Sequence, residues 1–239
     1  MAIPVVFVVP AYNEEANLPR LLAQLEERWA GRRVVVVDDG SADGTAAILE
    51  SYRGPLALEP VLLGRNQGPG AAFRAGFERA LEGEDEAFVV TLEADTTSDL
   101  GALPRMLERA QEGADLVLAA WVMENVSPLR RLLSEGAGLV VRRALGLQAT
   151  TVSSFFRVYR ASVLRRANER YGAALIKERG FACKAELLAK LAAMDARIEE
   201  VPVALDTSQR VGESKMPVFR TFLAYWRMLA RQLAAGRAA

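Results

Sequence analysis

The sequence VVVVDDGSADGT, at residues 34–45, passes from four consecutive valines directly into two aspartates and a glycine. An apolar run of this length, bounded by turn residues, is typical of a strand buried on both faces of a parallel sheet. The apolar runs at 3–9 and 88–92 are likewise followed by acidic segments, at 13–15 and 93–95. We therefore predict an α/β fold with acidic side chains gathered at the carboxyl ends of neighbouring strands.

Hydrophobic periodicity extends this pattern along the chain. Strands alternate with helices through the first half, which is typical of a mostly parallel sheet flanked by helices, whereas the second half is less regular. The predicted strands are residues 3–9, 33–38, 57–63, 87–92, 115–121, 155–159 and 197–203, and the predicted helices are residues 14–29, 43–52, 70–82, 100–112, 128–144 and 181–194, with a terminal helix from Pro217. The sequence has no internal repeat or low-complexity linker, so we expect one compact α/β unit.

Composition excludes several kinds of site. The 239 residues include no histidine and one cysteine, Cys183, and they carry 30 basic and 30 acidic side chains. Ser-His-Asp chemistry, histidine-ligated zinc and an internal disulfide are therefore impossible, and we expect Cys183 to be an inert thiol. Zero net charge argues against a nucleic-acid partner. Any metal must be held by oxygen ligands, which suits Mg²⁺ or Mn²⁺.

The sequence also gives expectations about location. The N-terminal residues lack the basic region of a signal peptide, and no stretch approaches the roughly 20 apolar residues of a membrane span, so we expect a cytoplasmic protein. The terminal helix predicted at 217–233 is amphipathic, with Phe222 and Trp226 on one face and Arg227 on a roughly opposite one. It could rest peripherally in a membrane interface or pack on the protein core, and both alternatives stay open.

Three motifs in the first half, taken together, resemble a known family. They are VPAYNEE at 9–15, VDDGSADGT at 37–45 and RNQG at 65–68. The combination is similar to that of the family 2 glycosyltransferases of GT-A fold, and more narrowly to dolichyl-phosphate mannose synthase and its bacterial polyprenyl-phosphate relatives. The resemblance implies a metal-dependent inverting enzyme that moves a hexose from a GDP-mannose or UDP-glucose type of donor to a polyprenyl phosphate. It implies one GT-A domain over 1–216, with a donor half and an acceptor half that meet near residue 100.

By this resemblance, the nucleoside of the donor would be bound at the first two strand ends. The pocket would be lined by Pro10, Tyr12, Glu14 and Asp39, with Asp38 beside it. The chemistry is suitable, because carboxylates accept hydrogen bonds from ring N–H groups or ribose hydroxyls and a tyrosine ring can cover a base. The alternative is an ordinary strand–turn–helix connection in which Asp and Gly form the turn.

The resemblance also gives a role to the glycine-rich segment GRNQGPG, at 64–70. Asn66 and Gly68 would shape the donor pocket. The spacing of the glycines fits neither the Walker pattern nor the dinucleotide fingerprint. A plain glycine-rich turn is therefore an equally good explanation of this segment.

The segment Glu93-Ala94-Asp95 occupies the place of the family's Asp-x-Asp metal motif. Alternation along an extended chain would put the two carboxylates on the same side, where they could hold one divalent ion that bridges the donor's phosphates. We expect Asp95 to be the direct ligand and a catalytic residue, with Glu93 as a second ligand and Ala94 next to the donor. The alternative is a turn that caps the following helix.

The acceptor site would lie in the second half. Arg131, within RRLLSEGA at 130–137, and Lys215, within GESK at 212–215, match family segments beside the acceptor phosphate, and Arg210 lies just upstream. Arginine and lysine are suited to a pyrophosphate or lipid phosphate because they donate charge-assisted hydrogen bonds. We expect Arg131 and Lys215 to be catalytic and Arg210 to bind the donor. A solvated basic face is the alternative for Arg131.

The chemical class of the acceptor is predicted from the absence of an acidic pair. Relatives that use sugar hydroxyls usually carry an acidic pair in the segment that reads FACKAE at 181–186, where only Glu186 is acidic here. A phosphate acceptor is already anionic and needs no general base. Trp121, Thr151 and Phe155 depart from the family pattern on the acceptor side. A transferase for another acceptor therefore stays open. A non-catalytic nucleotide-sugar-binding scaffold also stays open, because Glu93 stands in place of the first Asp of the family's metal motif.

Overall fold

A computed structural model describes residues 3–83, 86–122, 151–152 and 154–204 of the chain. The strands are β1 (Val5–Ala11), β2 (Arg33–Asp38), β3 (Ala57–Leu62), β4 (Phe88–Thr91), β5 (Leu116–Val122), β6 (Arg157–Arg160) and β7 (Ile198–Ala204). The α-helices are α1 (Leu18–Trp29), α2 (Thr45–Ser51), α3 (Pro69–Ala80), α4 (Leu103–Gln111), α5 (Ala161–Tyr171) and α6 (Cys183–Ala192). Two short 3₁₀ helices, Leu100–Ala102 and Gly172–Ala174, precede α4 and follow α5.

The described strands form a single sheet in the order β3-β2-β1-β4-β6-β5-β7. Strand β6 is antiparallel to both of its neighbours, and the other pairs are parallel, so the predicted mostly parallel sheet is confirmed. The chain runs outward from β1 to β2 and β3 and then returns across β1 to β4. The strand order therefore reverses beside β1, and a crevice is expected at the carboxyl ends of the strands there.

Helices cover both faces of the sheet. The side chains of Val35 and Val37 lie in an apolar cluster with α3, α5 and α6, whereas those of Val34 and Val36 lie in a second cluster with α1, α2 and α4. All four valines are fully buried. This two-sided burial explains why β2 reads as an unbroken apolar run rather than an alternating one.

The observed elements differ from the predicted ones in two informative places. Helix α1 begins at Leu18 rather than at residue 14, because the carbonyl of Glu14 accepts the N–H of Asn17 at 3.0 Å and that of Leu18 at 2.8 Å in a tight turn. Helix α5 was not predicted. Its buried side chains, among them Leu164, are few and are interrupted by arginines, so its apolar stripe is hard to recognise.

Several predictions fall outside the described residues. They are the helix at 128–144 with Arg131, the segment with Arg210 and Lys215, and the terminal helix from Pro217. Among the helices that the structure does describe, none combines the length and the hydropathy required to cross a membrane.

Candidate active site

The turn that follows β1 is fastened to the turn that follows β2. The N–H of Asn13 donates to Ser41 Oγ at 2.8 Å, and the Asn13 side-chain oxygen accepts the N–H of Ala42 at 2.8 Å. The N–H of Glu14 donates to Thr45 Oγ1 at 2.8 Å. The first two sequence motifs are therefore brought together as one rigid edge, which the strand register sets by pairing the ends of β1 and β2.

The residues predicted to bind the nucleoside lie along this edge. Pro10 and Tyr12 are half-buried, at the end of β1 and just beyond it. The carboxylate of Glu14 is buried and accepts the side-chain amide of Asn17 at 2.7 Å. Glu14 thus helps to shape the start of α1, and its predicted contact with the donor stays a prediction.

The two aspartates at the end of β2 have different partners. Asp38 accepts hydrogen bonds from the N–H and the hydroxyl of Ser41 and so closes its own turn. Asp39 reaches the glycine-rich segment instead, where its two oxygens accept the N–H of Gln67 at 2.7 Å and of Gly68 at 2.8 Å. Burial raises the pKa of Asp39, and these two backbone N–H groups oppose the rise. Asp39 therefore positions the glycine-rich segment.

The glycines of this segment are required by packing against the second half of the chain. A Cβ added to Gly68 would lie 2.4 Å from the carbonyl oxygen of Arg179, and one added to Gly70 would lie 1.9 Å from that of Glu178. The N–H of Gly70 donates to the Arg179 carbonyl at 3.0 Å. Gly68 also has a φ of +91°, which other residues rarely adopt. The segment is thus a close-packed joint between the two halves, with Asn66 exposed at its surface.

The acidic segment after β4 forms a turn rather than an extended chain. Strand β4 ends at Thr91, so the alternation expected for residues 93–95 is wrong. Glu93 accepts the Ser98 hydroxyl at 2.9 Å, and Asp95 accepts the Thr97 hydroxyl at 2.6 Å. The two carboxylates nevertheless remain close enough for the charge of Asp95 to act on Glu93.

The helix cap that was the alternative role for the segment 93–95 is formed by a different acid. Asp99 Oδ1 accepts the N–H of Gly101 at 2.8 Å and caps the 3₁₀ turn that leads into α4. Glu93 and Asp95 do not cap this helix. Ala94 is buried in the apolar cluster that contains α1 and α4, and its predicted place next to the donor stays a prediction.

Sequence reasoning missed Lys184. This side chain is 7% exposed, and its Nζ lies 3.9 Å from the centre of the Phe155 ring and 5.5 Å from that of Phe181. Burial lowers the pKa of Lys184 to about 8, against the opposing influence of Glu93 and Asp95. The sequence did contain an indication that Lys184 is buried, because the predicted helix 181–194 puts residue 184 on the same face as the leucines one turn later.

The acidic pair is chemically suited to a divalent cation. Burial raises the pKa of Glu93, and the neighbouring charge of Asp95 adds to the rise, so a cation would relieve both effects. Carboxylate oxygens are the ligands that Mg²⁺ and Mn²⁺ prefer. In the described part of the chain, no group of three acidic, cysteine or histidine side chains could enclose an ion. Glu93 and Asp95 would therefore share a cation with water or with a bound phosphate.

Glu186, the one acid at the start of α6, is occupied by structural contacts. Its Oε2 accepts the N–H of Lys177 at 2.8 Å and that of Glu178 at 2.7 Å, and its Oε1 accepts Lys190 Nζ at 2.5 Å. The segment that it holds is the one against which Gly68 and Gly70 pack. Glu186 therefore supports the glycine-rich segment from the second half, as Asp39 does from the first.

Arg157, the first residue of β6, is fully buried. Its guanidinium donates to the carbonyls of Ser154 at 2.8 Å, Lys184 at 3.0 Å and Val152 at 3.2 Å. These bonds fix the loop before β6 and the first turn of α6. They keep Phe155 and Lys184 in place beside the acidic turn. Cys183 is also buried, and burial raises its pKa to about 12, which agrees with an inert thiol.

The sheet topology and the acidic strand ends define an α/β protein of the GT-A type. Residues 6–168 match the model of the family described as Glycosyl transferase family 2. This match covers more than half of the chain, and the chain belongs to that family.

Two curated relatives are similar in sequence. Undecaprenyl-phosphate 4-deoxy-4-formamido-L-arabinose transferase from Pseudomonas paraeruginosa is 39% identical over 163 residues, which are 66% of this chain and 47% of that protein. Undecaprenyl-phosphate mannosyltransferase from Micrococcus luteus is 33% identical over 219 residues, which are 89% of this chain and 87% of that protein. The chain thus spans about half the length of the first relative and most of the second.

A solved structure supports the fold. The crystal structure of glucosyl-3-phosphoglycerate synthase from Mycobacterium tuberculosis with Mn²⁺, uridine diphosphate and glucosyl-3-phosphoglycerate superposes with a TM-score of 0.64 and 19% identity, over 98% of this chain and 80% of that one. At this identity the likeness shows the fold alone, and it confirms the predicted GT-A architecture.

Proposed function

We propose that this chain is an inverting, metal-dependent glycosyltransferase that moves a hexose from a nucleoside-diphosphate sugar to a polyprenyl phosphate. The observation that carries the proposal is the joining of three strand ends into one edge: β1 and β2 through Asn13 and Ser41, and the acidic turn after β4 beside them in the sheet. Ligands of open α/β sheets bind at this edge, at the reversal of strand order.

The donor is proposed to bind with its nucleoside against Pro10, Tyr12 and Glu14 and its diphosphate towards Glu93 and Asp95. Asp39 serves this pocket by holding the N–H groups of the glycine-rich segment, and Asp38 by closing the neighbouring turn. A bound divalent cation, Mg²⁺ or Mn²⁺, would offset the negative charge of the leaving nucleoside diphosphate. A similarly folded enzyme was crystallised with Mn²⁺ and uridine diphosphate, which supports this part of the proposal.

The acceptor is proposed to be a polyprenyl phosphate. Both curated relatives described above are named for transfer to undecaprenyl phosphate. The contacts of Glu186 also support the proposal, because a carboxylate that accepts two backbone N–H groups and an ammonium is poorly placed to serve as a general base. A phosphate acceptor needs no such base.

The proposed reaction is a single in-line displacement. An anionic oxygen of the acceptor phosphate forms a bond to the anomeric carbon of the sugar, and the bond from that carbon to the diphosphate oxygen breaks. The diphosphate leaves with the bonding electron pair, and no proton has to be removed from the nucleophile. The protein's contribution is then mainly positioning and charge stabilisation. Arg131, Arg210 and Lys215 are proposed to supply positive charge to the two phosphate groups.

Access to a lipid acceptor is a separate part of the proposal. The amphipathic segment 217–233 would rest at the membrane interface, with its aromatic residues towards the lipid and its arginines towards the headgroups. A membrane partner protein is the other way in which such an acceptor could be presented to this domain.

The test is release of nucleoside diphosphate from a panel of GDP- and UDP-sugars with Mn²⁺ or Mg²⁺, with a short polyprenyl phosphate, the matching polyprenol or no acceptor. We expect one donor to be consumed only with the phosphorylated lipid, together with formation of the lipid-linked sugar. Equal turnover with the alcohol, or with a saccharide in its place, would contradict the phosphate acceptor. Failure to bind any donor would favour a scaffold role.

A further inference from the structure

Lys184 is a charged residue of the site to which the proposed function gives no role. Its side chain is 7% exposed, and lysine is almost never buried to this degree unless a partner of opposite charge compensates it. Lys184 lies in the first turn of α6, and its own carbonyl accepts Arg157 at 3.0 Å, so its backbone is held firmly. A buried and anchored ammonium group requires an explanation.

Phe155 links this ammonium group to the acidic turn. The Nζ of Lys184 lies 3.9 Å from the centre of the Phe155 ring, and the backbone N–H of the same phenylalanine donates to Glu93 Oε1 at 3.4 Å. The ammonium group and the carboxylate are therefore held beside one residue. The negative charges of Glu93 and Asp95 both act on Lys184, and that of Glu93 is the stronger.

The charges explain why a lysine is tolerated here. Two neighbouring carboxylates that are partly withdrawn from water repel each other, and desolvation adds to the cost of their charges. The ammonium of Lys184 compensates one of the two charges before any ligand arrives. When both carboxylates are ionised, this ammonium group lowers the net charge of the turn from minus two to about minus one. Less negative charge is then left to attract a free divalent cation.

We propose that Lys184 is an internal counter-ion of the Glu93–Asp95 pair that weakens the binding of a free divalent cation, so that the cation binds tightly only together with a nucleoside diphosphate. The diphosphate brings the negative charge that Lys184 has cancelled, and it supplies the additional oxygen ligands that these two acids lack. This inference rests on the proposed function, since it assumes that the acidic turn is the cation site. Lys184 is thus a positioning residue that sets the order in which ligands assemble.

The test is the affinity of the metal-free protein for Mn²⁺ alone, measured by calorimetry or by electron paramagnetic resonance. Lys184→Met keeps the length of the side chain and removes its charge. We expect this variant to bind Mn²⁺ at least about tenfold more tightly than the unchanged protein, because a unit positive charge that interacts with both carboxylates is lost. We also expect its melting temperature to rise more on addition of Mn²⁺.

Two variants control for damage to the fold. Lys190→Met removes another lysine of α6, one that pairs with Glu186. This variant should leave the affinity for Mn²⁺ unchanged. Lys184→Arg keeps the charge and should bind Mn²⁺ as the unchanged protein does. If Lys184→Met does not fold, Lys184→Gln replaces it, with the same tighter binding expected.

Equal or weaker Mn²⁺ binding by the neutral variants, or no Mn²⁺ binding by either protein, would overturn the inference. The proposed function is judged separately, from the binding of uridine and guanosine diphosphates to the unchanged protein with and without Mn²⁺. If nucleotide binding depends on Mn²⁺ but Lys184→Met binds Mn²⁺ no more tightly than the unchanged protein, only the role of Lys184 is rejected. Tighter Mn²⁺ binding by the variant without any nucleotide binding would reject the proposed function alone.

Discussion

The carboxylate of Asp39 accepts the backbone N–H of Gly68 at 2.8 Å, and this bond ties the end of β2 to the glycine-rich segment. On its other side, Gly68 lies against the carbonyl of Arg179, from the second half of the chain. Asp39 and Glu186 therefore hold the same joint from opposite directions. The geometry of the proposed donor pocket depends on contacts from both halves of the sequence.

Replacement of Gly68 tests how tightly this joint is packed. Gly68→Ala puts a Cβ about 2.4 Å from the Arg179 carbonyl oxygen at a φ of +91°. We expect the free energy of unfolding to fall by about 2–4 kcal/mol, from backbone strain and overpacking together. Urea denaturation of the purified variant measures this loss. We also expect the affinity for a nucleoside diphosphate to fall.

Gly64→Ala is the matched control. Gly64 has a similar φ of +70°, but an added Cβ would meet no atom within 4 Å. This variant should lose only about 1 kcal/mol, the cost of the backbone conformation alone. Equal losses for the two variants would show that the contact with Arg179 does not constrain the segment.

The titration of Asp39 predicts a pH dependence of stability. Burial raises its pKa above the ordinary value of 3.8, so the folded protein binds a proton at Asp39 more readily than the unfolded chain does. Ionisation of Asp39 then costs stability, and the cost grows as the pH rises from the ordinary value through the raised one. Asp39→Asn removes this titration.

We therefore expect the stability of the unchanged protein, relative to Asp39→Asn, to fall as the pH rises from about 4 towards neutrality. Urea denaturation of both proteins across this range gives the difference at each pH. Only the change of this difference with pH is interpreted, because the amide of Asp39→Asn also alters the hydrogen bonds to Gln67 and Gly68. A difference that is flat or rises with pH would contradict a raised pKa.

Glu186→Gln tests the absence of a general base. Loss of a general base costs about 100-fold or more in turnover, whereas we expect kcat at saturating donor to stay within about tenfold of the unchanged protein. The KM for the donor should rise, because the amide cannot keep both backbone N–H groups and Lys190 satisfied. Glu169→Gln, at an exposed acid of α5, is the control. Complete loss of turnover with unchanged donor binding would show that Glu186 acts as a general base.

Arg157 is predicted to act on stability. Arg157→Met leaves the carbonyls of Val152, Ser154 and Lys184 without their donor, so we expect a loss of about 2–4 kcal/mol in the free energy of unfolding. Arg166→Met, at a half-exposed arginine 3.8 Å from Asp115, should change it by less than about 0.5 kcal/mol. Similar losses would show that the buried hydrogen bonds of Arg157 contribute little.

The sequence was most informative where the relevant signal is local. The buried strands β1, β2 and β4 could be predicted from their apolar runs, and the acids that follow them from the adjacent residues. The turn at 93–95 was not predicted because β4 stops pairing at Thr91, where its pairing with β1 and with its antiparallel neighbour β6 both end. Alternation along the chain carries no information about that neighbour.

The remaining parts of the site depend on contacts between distant residues. The Nε of Arg179 donates to the carbonyl of Gln67 across 112 positions, and this packing is what requires glycine at Gly68. Lys184 lay within a predicted helix, but the proximity of Glu93 to it arises only from the order of the strands. Contacts between residues so far apart in the sequence cannot be predicted from periodicity or composition.

The most direct test of the account is the affinity for uridine and guanosine diphosphates with and without Mn²⁺, in the unchanged protein and in Asp95→Asn. Asp99→Asn, which alters a nearby acid that caps a helix turn, is the control. We predict that Mn²⁺ tightens binding of one nucleotide at least about tenfold in the unchanged protein and in Asp99→Asn, and has little effect in Asp95→Asn. Nucleotide binding that ignores Mn²⁺, or that keeps its full Mn²⁺ dependence in Asp95→Asn, would contradict a cation site at the acidic turn.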